Sequence, residues 1–164
     1  MFNELLEKYS IGEIQFPTKS GLASMLINKD KILDVIQKIK EDEKFLYDQL
    51  IDITVIDNIS SKSNYSNQRF TVIYSFLSLR FNKRLLVLSN ISEEDLSIDS
   101  ITQIFESANW FEREIYDLFG INFKNHPNLQ RIMNDYNFQG HPLRKDFPLT
   151  GYEEVRYDEN LKKV

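Results

Sequence analysis

Three consecutive β-rich runs constrain the fold of this chain more than any other feature. They are "QLIDITVID" (49–57), "RFTVIYSFLSL" (69–79) and "RLLVLSN" (84–90), and all three are rich in β-branched or aromatic residues. The second and third are separated by only a few residues, with a tight turn expected at Asn82-Lys83. The runs therefore predict an antiparallel meander.

A helix is expected to cover this sheet. The first run alternates Ile51, Ile53 and Val55 with polar residues, which is typical of a strand with one buried face. Upstream, "KDKILDVIQKIKED" (29–42) places its apolar residues on one helical face. We therefore predict an α+β fold, a two-layer sandwich with a mixed, largely antiparallel sheet covered by helices.

Further elements are expected on both sides of the meander. A short helix at Asn3–Tyr9 and two brief strands at Gly12–Phe16 and Leu22–Ile27 precede it. After it, "SIDSITQIFESANWFEREIYDLFGI" (97–121) carries apolar residues at 3- and 4-residue spacing and predicts a long helix. Asp99 or Ser100 is expected to cap its start, and a break near Asn109 is the alternative to one continuous helix. Gly120 stands where a left-handed residue ends a helix.

The C-terminal segment, residues 124–164, shows no helical or strand periodicity. It is much longer than an ordinary loop, yet rich in apolar and aromatic residues, which is unusual for a disordered chain. We therefore predict two parts: a compact α+β domain at 1–123 and an extended, partner-wrapping segment at 124–164.

Composition excludes several classes of function. The chain has 164 residues and a net charge of −5, which argues against general binding of nucleic acid. No apolar run is long enough to cross a bilayer. The absence of cysteine removes thiol catalysis, disulfides and iron–sulfur ligation by this chain. We expect no cofactor bound by the chain itself.

A charged cluster at the end of the long helix is the first candidate for chemistry. Paired carboxylates such as Glu112 and Glu114 are able to act in acid–base catalysis. The simpler interpretation pairs Arg113 with Asp117, one turn later, and leaves both glutamates on a solvated or partner-facing side. We therefore predict no catalytic residue here.

His126, His141 and Arg144 are the other candidates. Both histidines precede proline and lie too far apart in irregular chain for a recognisable metal site, so we expect hydrogen bonds that fix the chain. No glycine-rich loop supports nucleotide binding near Arg144. An arginine in an extended, proline-flanked stretch suits a partner's carboxylate.

The stretch "FEREIYDLFGINFKNHPNLQRIMNDYNFQGHPLRKDFPLTGYEEVRYD" (111–158) resembles the 30 kDa (C-type) subunit family of respiratory complex I, the proton-pumping NADH:quinone oxidoreductase. The resemblance implies a non-redox structural subunit of the peripheral arm, which supports electron transfer from NADH to quinone. Its implied partners are the large quinone-site subunit (49 kDa, or D) and other peripheral-arm subunits in a hetero-oligomer. Flavin and iron–sulfur clusters would lie in partner subunits.

The resemblance also implies which residues meet the partner. The expected interface comprises polar residues and apolar residues, most of them in the C-terminal segment: Arg113, His126, Arg131, His141, Arg144, Lys145, Asp146, Phe147, Leu149 and Tyr152. One departure is Gln130, where the family usually has a second basic residue beside Arg131.

Location and complex type stay open at this point. The resemblance implies a peripheral subunit at a membrane. The heavy use of Ile, Asn and Lys suggests an AT-rich genome such as an organelle's, so we expect an organelle-encoded subunit on the matrix side of the mitochondrial inner membrane; the alternative is the cytoplasmic face of a bacterial inner membrane. A related photosynthetic-type NDH complex or membrane-bound hydrogenase would contain an equivalent scaffold subunit. A free-standing enzyme that uses Glu112, Glu114 or the histidines is the hypothesis from a different class.

Overall fold

A computed structural model describes residues 22–59, 68–152 and 155–163. The expected helix at 3–9, the expected strand at 12–16 and the polar stretch at 60–67 lie outside these ranges. Within them, no helix is both long and apolar enough to cross a membrane.

The central element is a four-stranded mixed sheet. Its strands are β1 (Ala23–Ile27), β2 (Gln49–Asp57), β3 (Phe70–Ser78) and β4 (Lys83–Ile91), in the spatial order β1-β4-β3-β2. β2, β3 and β4 form the predicted antiparallel meander, and β1 joins its far edge parallel to β4. The predicted fold class is confirmed.

The turn between β3 and β4 differs slightly from the expectation. Ser78 pairs with Lys83, so the connection consists of residues 79–82 and Lys83 already belongs to β4. Asn82 adopts a left-handed conformation, with φ of 49°, which asparagine tolerates better than most residues.

β2 does not keep a single alternation of side chains. The pairing passes from Leu50 opposite Phe76 to Asp52 opposite Ser75, so Ile51 is the extra residue of a β-bulge. Leu50, Ile53 and Val55 are buried, whereas Ile51 is 38% exposed. The prediction that Ile51 shares the buried face was wrong, because a bulge reverses the faces on one side of it.

Helix α1 spans Ile32–Glu41 and follows a short 3-10 turn at Lys29–Lys31. Its buried residues are Ile32, Val35, Ile36 and Ile39, the apolar face predicted from the spacing. They join one core with the fully buried Phe70, Tyr74 and Phe76 of β3.

The long helix predicted for 97–121 is shorter and begins later. Residues Ser97–Asp99 form β5, which pairs in parallel with β6 (Asn122–Lys124), and helix α2 spans only Ala108–Phe119. Residues 101–107 form successive turns, with Ile104 and Phe105 both donating N–H groups to the Ile101 carbonyl. Such turns repeat at nearly helical spacing, which explains why the apolar pattern looked continuous.

Candidate partner interface

The C-terminus of α2 is capped by residues far along the chain. A helix leaves its last four carbonyls without intrahelical donors. Gly120, with φ of 75°, donates its N–H to the Tyr116 carbonyl, which confirms the predicted helix end. His141 Nδ1 lies 2.9 Å from the Asp117 carbonyl, and the Leu143 N–H lies 3.1 Å from the Leu118 carbonyl.

Arg144 completes this cap. Its Nε donates to the Phe119 carbonyl over 2.6 Å, so all four terminal carbonyls of α2 have donors. A Cβ on Gly120 would come within 2.5 Å of both Arg144 Nη2 and His141 Nε2. Glycine is therefore favoured at this position for two reasons: the backbone is left-handed, and the capping side chains come too close for a Cβ.

The Asp117 side chain anchors the preceding part of the C-terminal segment. The carboxylate is fully buried. Its Oδ2 accepts the N–H groups of Ile132, Met133 and Asn134 over 2.7–2.9 Å, and its Oδ1 accepts from Arg131 Nη1 over 2.6 Å. Burial opposes ionisation, but hydrogen bonds from Asn134, Ile132 and Arg131 outweigh it and hold the pKa of Asp117 well below its usual range.

Arg113 also turns toward its own chain. It donates from Nε to the Gln130 carbonyl and from Nη2 to the Arg131 carbonyl, over 3.1 and 3.2 Å. The expected pair of Arg113 with Asp117 is not formed, because Asp117 faces Arg131. The Asp117 carboxylate instead binds Arg131 and the backbone N–H groups of residues 132–134, which all converge on it.

A second anchor joins the segment to the sheet. Asp57, at the end of β2, accepts the Lys145 N–H at 3.0 Å and lies 3.4 Å from Arg69. Arg69 Nη2 also lies 2.7 Å from Asp146, and Arg69 pairs with Glu93. Asp146 is therefore paired within the chain, while the Lys145 side chain points to solvent.

Arg144 occupies the space between these two anchors. Its guanidinium carbon lies 5.5 Å from the centre of the Phe70 ring, at the start of β3. The three carboxylates of the neighbouring anchor, Asp57, Glu93 and Asp146, are all paired with Arg69. Among the described residues, Arg144 has no carboxylate at ion-pair distance.

His126 fixes the first turn of the segment. Its Nδ1 accepts the Asn128 N–H at 3.0 Å, so the proton lies on Nε2, which donates to the Asn109 carbonyl at 3.1 Å. Burial lowers the pKa values of His126 and His141. Both histidines thus make chain-fixing hydrogen bonds, as expected from the sequence.

Glu112 is buried, contrary to the expectation of a solvated or partner-facing side chain. Its Oε1 accepts the Ile101 N–H at 2.8 Å, and its Oε2 lies 3.9 Å from His126 Nε2 without a hydrogen-bond partner in the described part of the chain. Burial raises the pKa of Glu112 to about 7, against hydrogen bonds from Ser100 and the Ile101 N–H. Glu114 is exposed, so the two glutamates do not form an acid–base pair.

Some apolar side chains of the segment pack against each other and others are exposed, and Tyr152 does both. Phe138, Phe147 and Tyr152 form an aromatic chain, with ring centres 5.9 and 5.4 Å apart, and Phe147 is half-buried. Five large apolar side chains between residues 126 and 152, here called the apolar face, are 53% to 104% exposed: Met133, Tyr136, Leu143, Leu149 and Tyr152. Val155, Tyr157 and Leu161 are exposed farther along the segment.

Two carboxylates anchor the segment, and sequence reasoning gave Asp117 the wrong partner and missed Asp57. It also missed Arg69. A usable signal for Asp117 was its position in the last turn of a helix, where an acid opposes the helix dipole and requires a compensating partner. Asp57 and Arg69 gave no comparable signal, because their partners lie in irregular chain.

No three His, Cys, Asp or Glu side chains within residues 22–59, 68–152 and 155–163 gather into a group able to hold a metal ion.

The fold and this surface define a class: an α+β module whose C-terminal segment is bound to it by polar contacts and exposes apolar side chains. Residues 25–153 match the family described as respiratory-chain NADH dehydrogenase, 30 Kd subunit, and the chain belongs to this family. The family resemblance inferred from residues 111–158 is confirmed.

Curated relatives agree with this assignment. The C-type subunit of NADH-quinone oxidoreductase from Paramagnetospirillum magneticum is 42% identical over 146 residues, which are 89% of this chain and 70% of that protein. The mitochondrial 30.4 kDa subunit of NADH-ubiquinone oxidoreductase from Neurospora crassa is 43% identical over 150 residues, 92% of this chain and 51% of that protein. The chain thus spans between about half and 70% of the length of these relatives.

Two solved structures share the fold. A trypsin-resistant fragment (1–134) of Nqo5 has a TM-score of 0.63 and 27% identity, and covers 77% of this chain and 95% of its own. A chain of an archaeal membrane-bound sulfane sulfur reductase has a TM-score of 0.72 over 99% of this chain and 95% of its own. At 21% identity, this second likeness concerns the fold alone.

Proposed function

We propose that the chain is a non-redox structural subunit in the peripheral arm of an NADH:quinone oxidoreductase. It supports electron transfer from NADH to quinone by holding other subunits in place, with no catalytic residue, metal or cofactor of its own. Its partner is the large quinone-site subunit (49 kDa, or D), which it meets through the C-terminal segment. The names of the curated relatives favour this complex over a photosynthetic-type NDH complex or a membrane-bound hydrogenase.

The observation that supports this proposal most directly is the apolar face. Leu149 is fully exposed, and Met133, Tyr136, Leu143 and Tyr152 are each more than half exposed. Apolar side chains concentrated in one segment are typical of a surface that another protein covers. The buried, hydrogen-bonded carboxylates do not resemble the accessible acid–base pair that a free-standing enzyme requires.

We further propose a peripheral position at a membrane, as part of the complex. The relatives come from bacteria and from a mitochondrion, so the matrix side of the mitochondrial inner membrane and the cytoplasmic face of a bacterial inner membrane are both compatible with the family.

Truncation tests the proposed function. A chain that lacks residues 140–164 should keep the sheet and α1 but fail to enter the complex, as judged by native electrophoresis of solubilised membranes. A matched truncation lacking only residues 159–164 should assemble normally, because these residues lie beyond the stretch that resembles the family. Normal assembly of the longer truncation would contradict the proposal.

A further inference from the structure

Three arginines, Arg113 in α2 and Arg131 and Arg144 in the C-terminal segment, already have hydrogen-bond partners within the chain. Arg113 and Arg131 donate to backbone carbonyls, and Arg131 also pairs with the buried Asp117. Arg144 donates to the Phe119 carbonyl and stacks on Phe70. The sequence predicted that Arg144 meets a partner's carboxylate and that Arg113 and Arg131 lie at the interface; within the chain, all three side chains contact the subunit itself.

The outward side of the same segment carries few charges between residues 126 and 152. Lys145 and Asp135 are exposed and of opposite sign, and Asp146 is paired with Arg69. The apolar face is exposed over the same stretch, from Leu143 at 53% to Leu149 at 104%. The arginines therefore contact the body of the subunit, whereas the five residues of the apolar face are exposed.

We infer that the partner surface that covers this segment is apolar and poor in carboxylates, and that Arg144 acts as a positioning residue which caps α2. This inference rests on the proposed function and names the chemistry of the partner at the same site. Affinity comes from burial of the apolar face, while the polar contacts to α2 set where that face lies.

Arg144 offers a sharp test, because glutamine places its Nε2 at the position of the arginine Nε, four bonds from Cα. Arg144→Gln keeps a donor for the Phe119 carbonyl but removes the charge, whereas Arg144→Leu removes both. Leu149→Ser removes a fully exposed apolar side chain. Each variant of the full chain is co-expressed with the large D-type subunit, and the affinity of the purified pair is measured.

The inference predicts that Arg144→Gln binds within about twofold of the wild type. Arg144→Leu and Leu149→Ser should each bind about tenfold more weakly, as expected for a displaced or a lost apolar contact. Leu149→Ser should leave the melting temperature of the free chain unchanged. Raising salt from about 0.1 to 1 M, which shortens the screening length from roughly 10 to 3 Å, should change affinity less than about threefold.

Equal loss in Arg144→Gln and Arg144→Leu, or a steep loss of affinity with salt, would show that the guanidinium meets a partner charge and would overturn the inference. An affinity equal to that of the wild type in both Arg144 variants would also overturn the inference, because the cap would then have no role in positioning the apolar face. A wild-type chain that does not bind the D-type subunit at all would instead refute the proposed function. A second copy of this chain on the apolar face, seen as a homodimer in sedimentation, would also contradict the proposed partner.

Discussion

Glu112 should make the chain less stable as pH rises, and Glu112→Gln should remove that dependence. Burial raises the pKa of this carboxyl from its ordinary 4.5 to about 7 in the folded chain. A carboxyl whose folded pKa is raised contributes stability that is fully present below pH 4.5 and is lost as pH rises through 7. At roughly 1.4 kcal/mol per pH unit, the loss is about 3 kcal/mol.

The measurement is urea denaturation of both chains between pH 4.5 and 8.5. The free energy of unfolding of Glu112→Gln, relative to the wild type, should rise by about 3 kcal/mol across this range. Only the pH dependence of the difference is diagnostic, because the amide also changes the contact with His126 by a constant amount. The comparison further cancels the titration of His141, whose lowered pKa makes the chain less stable as pH falls.

Glu114→Gln is the matched control, since Glu114 lies two positions along the same helix and is exposed. Its free energy of unfolding should differ from the wild type by a nearly constant amount at all pH values. A constant difference for Glu112→Gln as well would refute the reasoning, and would mean that the carboxyl titrates in the folded chain as it does in water.

Three further substitutions test the body of the subunit. Gly120→Ala should destabilise the chain by about 2 kcal/mol or more in urea, because alanine is strained at φ of 75° and its Cβ would strike the cap; a cost under about 0.5 kcal/mol would argue against the close approach. Asp117→Asn should cost about 3 kcal/mol at pH 7 and remove a stabilisation that the wild type loses as acid protonates this carboxylate, whereas Asp135→Asn, an exposed change of the same kind, should cost little. Equal effects of the two aspartate variants would count against the anchor. Tyr74→Phe should be neutral or stabilising by up to about 1 kcal/mol, since its buried hydroxyl has no hydrogen-bond partner among the described residues; a clear loss in thermal melting would reveal an unrecognised bond.

Much of the α+β body was predictable because its elements have regular periods. The meander of β2, β3 and β4 and the buried face of α1 follow directly from apolar spacing. The wrong predictions concern places where a local irregularity interrupts the alternation of a strand or repeats apolar residues at nearly helical spacing. The bulge at Ile51 reverses a face without any change in residue type, and the turns at 101–107 repeat almost as a helix does.

The C-terminal segment was harder to predict because its contacts span long distances in sequence without a repeat. Its composition indicated apolar anchoring, and the structure places the aromatic chain of Phe138, Phe147 and Tyr152 there. Sequence alone does not distinguish an arginine that meets a partner from one that meets its own helix. Asp117 collects donors from residues 14 to 17 positions later, and no spacing rule predicts such a pairing.

The distant cap of α2 has a consequence for the design of hybrid subunits. The donors for the Asp117 and Phe119 carbonyls come from residues 24 and 25 positions later, so the helix end and its cap are complementary parts of one joint. A chimera joined after α2 would combine the C-terminus of this helix with a C-terminal segment from another subunit, whose side chains do not match the helix carbonyls. The junction of such a chimera therefore belongs before Ala108, so that both halves of the joint are exchanged together.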